Sequence, residues 1–336
     1  MMIHTNHKPT FCLISLGCPK NLVDSAGIAT RLQQAGYSDV GAPEQADVVI
    51  VNTCGFIDTA REESQAVLQA LAQAKRPAQR LIAAGCYAQR DPQALTEAIP
   101  EIDGLIGTRR WMDMPDLLAR LERAPAGERV THIPEAPTVG QDARGIPRVA
   151  VQGSSAYLKV ADGCRRACAF CAIPLIKGPA VSRRPEAILD DARWLADLGI
   201  QEMILIAQDT TDYGHDLGMQ DGLADLVEQL VAAVPQIPWI RLMYAYPSRI
   251  SQRLIDVMAA HPQVLPYLDL PLQHADPAVL RRMGRPVDMD RVRDTIDRLR
   301  AAMPDIALRT TFLVGFPGTT GGAFRTLLRF VEELAF

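Results

Sequence analysis

The chain has 336 residues, enough for about two domains, and 48% of them are apolar, so sizeable hydrophobic cores can form. Its 35 Lys and Arg against 39 Asp and Glu give a formal net charge of −4, which argues against strong nucleic-acid binding through bulk charge. No apolar run approaches the roughly 18 residues of a membrane span and no secretory signal is recognisable, so we expect a cytoplasmic protein without membrane contact.

Three strand–loop–helix units are predicted in the first 90 residues. The segments 11–17, 46–55 and 80–90 each contain an apolar strand, and helical patterns follow the first two at 21–35 and 57–74. One cysteine lies just behind each strand, namely Cys18, Cys54 and Cys86. Such repetition is typical of a parallel sheet, in which sites lie beyond the carboxyl ends of the strands, so these three cysteines can meet at one edge. Cys12 lies within the first strand and is expected to pack in the core.

The periodic pattern fades between about residues 121 and 155, where Pro, Gly and charged residues dominate. This composition is typical of a linker or an irregular connection, which we place at 123–154. The sequence therefore predicts an N-terminal domain at 1–122 and a second domain at 155–336.

A second series of strand and helix patterns fills the C-terminal half. Strands are predicted at 156–162, 202–208, 239–245, 267–272 and 306–315, and helices at 185–198, 222–233, 251–260, 290–302 and 322–335. Five such units fall short of the eight of a complete (β/α)8 barrel. The predicted fold is therefore α/β, with an N-terminal parallel sheet followed by a partial (β/α) barrel.

The stretch "DGCRRACAFC" places Cys164, Cys168 and Cys171 in a C-x3-C-x2-C spacing. Free cysteine packs as a small core hydrophobe, but this explains one such residue better than three in a tight loop. Structural zinc normally takes four protein ligands, and the nearest histidines, His132 and His215, are distant in sequence. Three thiolates suit an iron–sulfur cubane better, and they leave one iron open to a substrate or cofactor.

This spacing behind the first strand of the second domain resembles the signature of radical S-adenosylmethionine (SAM) enzymes. In that family the open iron of a [4Fe–4S] cluster binds SAM, and reductive cleavage yields a deoxyadenosyl radical that abstracts hydrogen from carbon. The cluster ligands implied here are Cys164, Cys168 and Cys171.

The resemblance also suggests positions for SAM or substrate contacts, although it identifies no catalytic acid or base. Phe170 matches the family's usual aromatic residue between the last two ligands, and Gln208 and Asp209 lie in "AQDTTDYG", where a family motif is matched. The alternative role of Asp209 is to cap a helix. Gln273 ends another strand, and Arg309 lies within one, where a buried charge needs a partner such as the SAM carboxylate.

The words "SLGCPKNLVDS", "VNTCGFI" and "AGCYAQR" resemble the three cysteine motifs of methylthiotransferases, which are radical SAM enzymes with an additional N-terminal domain. The resemblance implies that Cys18, Cys54 and Cys86 hold a second [4Fe–4S] cluster. In the family, a sulfur atom methylated by one SAM is transferred to a substrate radical generated with another SAM.

Other words, among them "MYAYPSRI" and "LDLPLQHADPAVLRRMGR", resemble the type that modifies ribosomal protein S-twelve, the RimO type. That type implies methylthiolation of the β-carbon of an aspartate in the ribosomal protein, with an unidentified electron donor as a further partner. Two alternatives remain open: a methylthiotransferase for adenosine in transfer RNA, and a non-catalytic relic that binds an iron–sulfur cluster or zinc. The family continues with a last barrel strand and a TRAM domain, so the sequence also predicts a C-terminal truncation.

Overall fold

The structure is a computed structural model that describes residues 8–135 and 145–336; residues 136–144 of the predicted linker lie outside the described residues. The chain divides into two units. The first comprises Met1–Ala150 and Leu175–Pro179, and the second comprises Val151–Pro174 and Ala180–Phe336. Among the described helices, none is long and apolar enough to cross a bilayer.

A six-stranded sheet forms the centre of the first unit, and all of its strand pairs are parallel. In spatial order β2-β1-β3-β4-β5-β6, its strands are β1 (Thr10–Ser15), β2 (Ser38–Asp39), β3 (Val48–Thr53), β4 (Arg80–Ala84), β5 (Gly104–Gly107) and β6 (Val130–His132). The helices of this unit are α1 (Pro19–Gln34), α2 (Asp58–Ala74), α3 (Gly85–Arg90), α4 (Pro92–Ala98) and α5 (Met114–Arg123). The three predicted strand–loop–helix units at its start are confirmed.

Apolar residues cover both faces of this sheet. All six residues of β3 are buried, as expected of a parallel strand with packed side chains on either face. Successive side chains of a strand point to opposite faces, so Val48 and Ile50 join one hydrophobic cluster while Val49 and Val51 join another. Cys12, only 3% exposed, belongs to the second cluster, which confirms its predicted core position.

The second unit contains another six-stranded sheet, in the order β14-β13-β12-β11-β8-β7. The strands of this sheet are β7 (Val149–Gln152), β8 (Ser155–Lys159), β11 (Glu202–Ile206), β12 (Trp239–Leu242), β13 (Val264–Asp269) and β14 (Ala307–Arg309). Two further strands, β9 (Ala161–Asp162) and β10 (Val181–Ser182), form a separate antiparallel pair. The helices of this unit are α7 (Pro185–Asp197), α8 (Gly222–Ala233), α9 (Gln252–Ala260), α10 (Pro277–Arg282), α11 (Met289–Ala302) and α12 (Gly321–Leu334). A short helix, α6 (Ile173–Lys177), begins in this unit and ends in the segment that belongs to the first unit. Strands β8, β11, β12, β13 and β14 are parallel and adjacent in chain order, which confirms the predicted partial barrel.

The segment 123–154 differs from the irregular connection that the sequence predicts. Strand β6 extends the first sheet beyond β5, and strand β7 lies beside β8 in the second sheet. Both are edge strands of three or four residues. An edge strand pairs on one side only, and a run this short shows no recognisable alternation of apolar and polar residues, which explains why both strands escape prediction.

A buried carboxylate holds two cations inside the first unit. Asp24 of α1 accepts a hydrogen bond from Lys177 Nζ at 2.7 Å, and its other oxygen lies 3.4 Å from Arg148 Nη2. The three residues are at most 3% exposed. Because buried charges are stable only when paired, this cluster is a structural requirement of the unit.

We expect Asp24→Ala to lower the free energy of unfolding by roughly 3–5 kcal/mol, since it leaves buried cations without their shared carboxylate. Urea denaturation measures this loss. The control is Asp190→Ala, which removes a surface ion pair with Arg193 and should cost at most about 1 kcal/mol. Equal losses in the two variants would contradict the predicted role of burial.

Candidate functional site

Three cysteine loops converge at the carboxyl edge of the first sheet. Cys18 lies at the N-cap of α1 behind β1, Cys54 follows β3, and Cys86 lies in the first turn of α3 behind β4. The strands are in register, with Ser15 opposite Asn52 and Asn52 opposite Ala84, so their carboxyl ends are level. This register brings the three loops together.

Two glycines, Gly17 and Gly55, let these loops pack closely against one another. Gly17 has a φ of +88°, and a Cβ atom added there would lie 2.7 Å from Cys54 Cβ and 2.9 Å from its sulfur. A Cβ atom on Gly55 would lie 2.6 Å from Tyr87 Cα. Each added carbon would therefore overlap a neighbouring loop, so glycine at both positions lets the cysteines approach.

Asn21 ties the ends of these strands to α1. Its Nδ2 donates to the carbonyl oxygens of Leu16, Asn52 and Thr53 at 2.9, 3.2 and 3.0 Å. Its Oδ1 accepts from the Cys86 thiol at 3.7 Å. One buried amide thus contacts both neighbouring strand ends and one of the three cysteines, which fixes the relative position of the loops.

The thiols of this triad shift one another's pKa values through electrostatic repulsion. Burial raises the pKa of Cys86 to about 11 and also raises that of Cys54. An ionised Cys18 raises both pKa values further, whereas Lys177 lowers them. Because thiols bind metals in the deprotonated thiolate form, the cationic iron–sulfur core of a bound cluster would relieve this mutual repulsion.

No three His, Cys, Asp or Glu side chains in the described ranges are arranged to bind one metal ion. A cubane is different, because each of its thiolate ligands binds a different iron atom. The donor set and the side-chain-free glycine contacts of the first unit suit the larger cluster.

We expect Gly17→Ala to lower the free energy of unfolding by roughly 1–2 kcal/mol for its positive φ and by a further 1–3 kcal/mol for the overlap with Cys54. Thermal and urea denaturation measure the loss. Gly36→Ala is the matched control, because Gly36 has a φ of +96° with open space around its Cβ position. A Gly17→Ala loss no larger than that of the control would refute the predicted overlap.

The second cysteine loop follows β9 in the second unit. Cys164 begins it, and the Cys171 amide donates to the Cys168 carbonyl oxygen at 3.0 Å, which turns the loop back on itself. The Ala169 amide donates to the Met283 carbonyl oxygen at 2.9 Å. The three cysteines therefore lie in one compact loop that is held from behind by the end of α10.

Two arginines from this loop pair with aspartates beyond β11. Arg165 binds both carboxylate oxygens of Asp212, with Nε at 2.7 and 2.9 Å from them. Arg166 Nε donates to Asp209 Oδ2 at 2.9 Å, and Thr211 Oγ1 donates to the other oxygen of Asp209 at 2.6 Å. Asp209 occupies the N-cap position of a short 3-10 helix but makes no capping hydrogen bond, so its carboxylate anchors the cysteine loop instead.

Burial also governs the thiols of this loop. It raises the pKa of Cys164 to about 11 and raises that of Cys171. Ionised Cys171 and Cys168 add to the shift of Cys164, and ionised Cys168 adds to that of Cys171. The three sulfurs are thus close enough to repel one another as thiolates.

Phe170, predicted to contact SAM or to pack in the loop, is half-buried and packs against Val279, Met283 and Ala323. This contact supports the loop from the side of α10 and α12. Its predicted role toward SAM stays a prediction.

The remaining predicted residues lie at the carboxyl edge of the second sheet. Gln208 is half-buried behind β11, next to Asp209. Gln273 has a φ of +72°, rare for a residue with a side chain, and its backbone bonds to Thr311 and Leu313. Arg309 is more than half exposed and pairs with buried Asp269 at 2.5 Å, and its predicted role toward SAM stays a prediction.

Sequence reasoning missed Arg285 and Tyr246. Arg285 Nη1 lies 3.9 Å from Cys168 Sγ, and its guanidinium carbon lies 4.2 Å from the centre of the Tyr246 ring. Arg166 contacts the same ring at 4.1 Å. Tyr246 lies in the segment "MYAYPSRI" and Arg285 ends the segment "LDLPLQHADPAVLRRMGR", but only the fold reveals which residues they contact.

Comparisons with known proteins agree with this geometry. The profile of the Radical SAM superfamily matches residues 158–331, and that of "Uncharacterized protein family UPF0004" matches residues 10–107. The chain is 50% identical to "Ribosomal protein uS12 methylthiotransferase RimO" of Roseiflexus sp. (strain RS-1), over 97% of this chain and 72% of that protein. Its identity to the protein of the same name from Chloroflexus aurantiacus is 49%, over 95% of this chain and 72% of that one.

Solved structures are similar in fold. The radical SAM methyltransferase TsrM from Kitasatospora setae superposes with a TM-score of 0.73 at 14% identity, over 98% of this chain and 74% of that one. The cobalamin-dependent SAM radical enzyme OxsB gives a TM-score of 0.66 at 13% identity, over 96% of this chain and 52% of that one. Identities this low establish the shared fold alone.

A partial barrel with a C-x3-C-x2-C loop behind its first strands, matched by the superfamily profile, defines a radical SAM enzyme. Such an enzyme uses a [4Fe–4S] cluster and SAM. Within that class, the chain belongs to the family of ribosomal protein uS12 methylthiotransferases, RimO. The family resemblance predicted from the cysteine words is confirmed.

Proposed function

We propose that this chain methylthiolates the β-carbon of one aspartate in ribosomal protein uS12 by radical SAM chemistry. The observation that carries the proposal is the presence of two cysteine triads, one behind strands β1, β3 and β4 of the first unit and one in the loop behind β9 of the second. The names and high identity of the relatives support the substrate. The net charge of −4 suits a protein target better than a nucleic acid.

In this proposal Cys164, Cys168 and Cys171 hold the cluster that binds SAM. A [4Fe–4S] cluster there would supply the electron that cleaves SAM. The protein orients the loop through the Arg165–Asp212 and Arg166–Asp209 ion pairs. Both aspartates are buried, so these contacts hold the three sulfurs in a fixed frame.

Cys18, Cys54 and Cys86 hold a second [4Fe–4S] cluster, which would serve sulfur insertion. The donor set fits, because three thiols converge where glycine contacts and the Asn21 amide fix the loops. Lys177 offsets part of the negative charge of the thiolates at Cys54 and Cys86. Exposure of Cys18 leaves one side of this triad open to solvent and thus to a substrate.

The test is anaerobic reconstitution of the chain, followed by iron and sulfide analysis and reaction with dithionite, which replaces the unidentified electron donor. About eight iron atoms per chain would support two cubanes. SAM with a labelled methyl group is then supplied with purified uS12 and, separately, with transfer RNA. Label in uS12 supports the proposal, and label in RNA alone selects the transfer-RNA alternative. Zinc content without deoxyadenosine release selects a non-catalytic relic.

A further inference from the structure

Arg285 lies directly behind the cysteine loop of the second unit. Its Nη1 donates toward Cys168 Sγ at 3.9 Å, and its Nη2 donates to the Pro271 carbonyl oxygen. The preceding residue, Gly284, packs so closely that an added Cβ atom would lie 2.5 Å from the Ala167 carbonyl oxygen. The backbone before Arg285 is thus pressed against the loop, which brings the guanidinium group to a thiol of the triad.

An aromatic ring contacts this guanidinium group. Tyr246 is 9% exposed, and the Arg285 guanidinium carbon lies 4.2 Å from its ring centre. The Tyr246 amide donates to Thr211 Oγ1 at 3.0 Å, so the ring is itself attached to the segment that follows β11. Contact with an aromatic ring restricts the positions of arginine's five N–H donors, which a flexible lysine cannot reproduce.

One donor of Arg285 has no acceptor. Its Nε atom is buried and makes no hydrogen bond to any residue of 8–135 or 145–336. Buried donors are almost always satisfied, so an unsatisfied one beside a ligand triad indicates an acceptor that binds there. A thiolate-bound cluster with its sulfides offers such acceptors.

We propose that Arg285 is a positioning residue that holds Cys168 and raises the reduction potential of the cluster bound by Cys164, Cys168 and Cys171. The inference deepens the proposed function and rests on the cluster at this triad. Hydrogen bonds to ligand sulfurs and a nearby positive charge favour the reduced cluster, which carries one more negative charge. At a given potential of the external donor, a higher cluster potential increases the fraction of clusters that are reduced, although each reduced cluster is then a weaker donor to SAM.

The experiment compares the reconstituted wild-type chain with Arg285→Gln and Arg285→Lys. An EPR-monitored redox titration gives the midpoint potential of the cluster whose spectrum changes when SAM is added. We expect a more negative potential in Arg285→Gln and an intermediate one in Arg285→Lys, with a smaller fraction of the cluster reduced at a fixed dithionite concentration in the same order. Arg282→Gln is the matched control, because Arg282 is exposed, donates to the Gly318 carbonyl oxygen and lies three residues away.

A wild-type potential in an Arg285→Gln variant with full iron content would overturn the inference and leave the proposed function intact. Should Arg285→Gln lose iron, Arg285→Lys decides, and an unchanged potential there overturns the inference equally. A wild-type chain without any SAM-responsive cluster overturns both the inference and the proposed function.

Discussion

Joint replacement of Cys164, Cys168 and Cys171 by alanine is expected to abolish SAM cleavage and to remove about four of roughly eight iron atoms. The loop offers three thiols to one cluster, and a cubane without its thiolates does not stay bound. Deoxyadenosine release after dithionite addition, measured with total iron, checks the prediction. Cleavage should fall to the background level rather than by a modest factor, since SAM is cleaved by an electron from the cluster to which it binds.

Cys12→Ala is the matched control for this triple variant. Cys12 is also a buried thiol, but it lies within β1 and packs against the hydrophobic cluster on one face of the sheet. Its replacement should leave iron content and SAM cleavage unchanged and cost roughly 1 kcal/mol of stability from the small cavity. Residual SAM cleavage in the triple variant would refute the assigned cluster site.

The fold and the cysteine loops could be predicted because their signals are local. An apolar run followed by a cysteine marks the end of β1, β3 and β4, and parallel strands end at one edge, so convergence of Cys18, Cys54 and Cys86 follows from topology. The spacing of the second triad lies within eight residues and needs no fold at all.

Contacts between distant segments could not be predicted in this way. Arg285 is separated from Cys168 by 117 positions, and Lys177 from Asp24 by 153. Neither pair shows a periodic pattern, because one side chain meets another only after the sheets have formed. The partner of Arg309 was missed for a related reason: Asp269 lies opposite it on β13, and the register of two strands cannot be read from either strand alone.

The reciprocal variant, with Cys18, Cys54 and Cys86 replaced by alanine, is expected to keep SAM cleavage and to lose the methylthio product entirely. The cysteine loop of the second unit draws its supports, Asp209, Asp212 and Met283, from its own unit, so its cluster should remain. Iron should fall to about four atoms per chain. Mass spectrometry of uS12 detects the missing methylthio group, and deoxyadenosine release shows that cleavage continues.

These two triple variants separate two chemical tasks on one chain. If the first triad served only to stabilise the fold, its loss would lower the thermal midpoint and reduce SAM cleavage and product together. If the first triad supplies the sulfur chemistry, SAM cleavage persists while the methylthio product disappears, because hydrogen abstraction needs only the cluster of Cys164, Cys168 and Cys171. If the variant that lacks Cys18, Cys54 and Cys86 still formed methylthiolated uS12, the cluster of the first unit would not be required. The sulfur-insertion role of the first unit would then have to be abandoned.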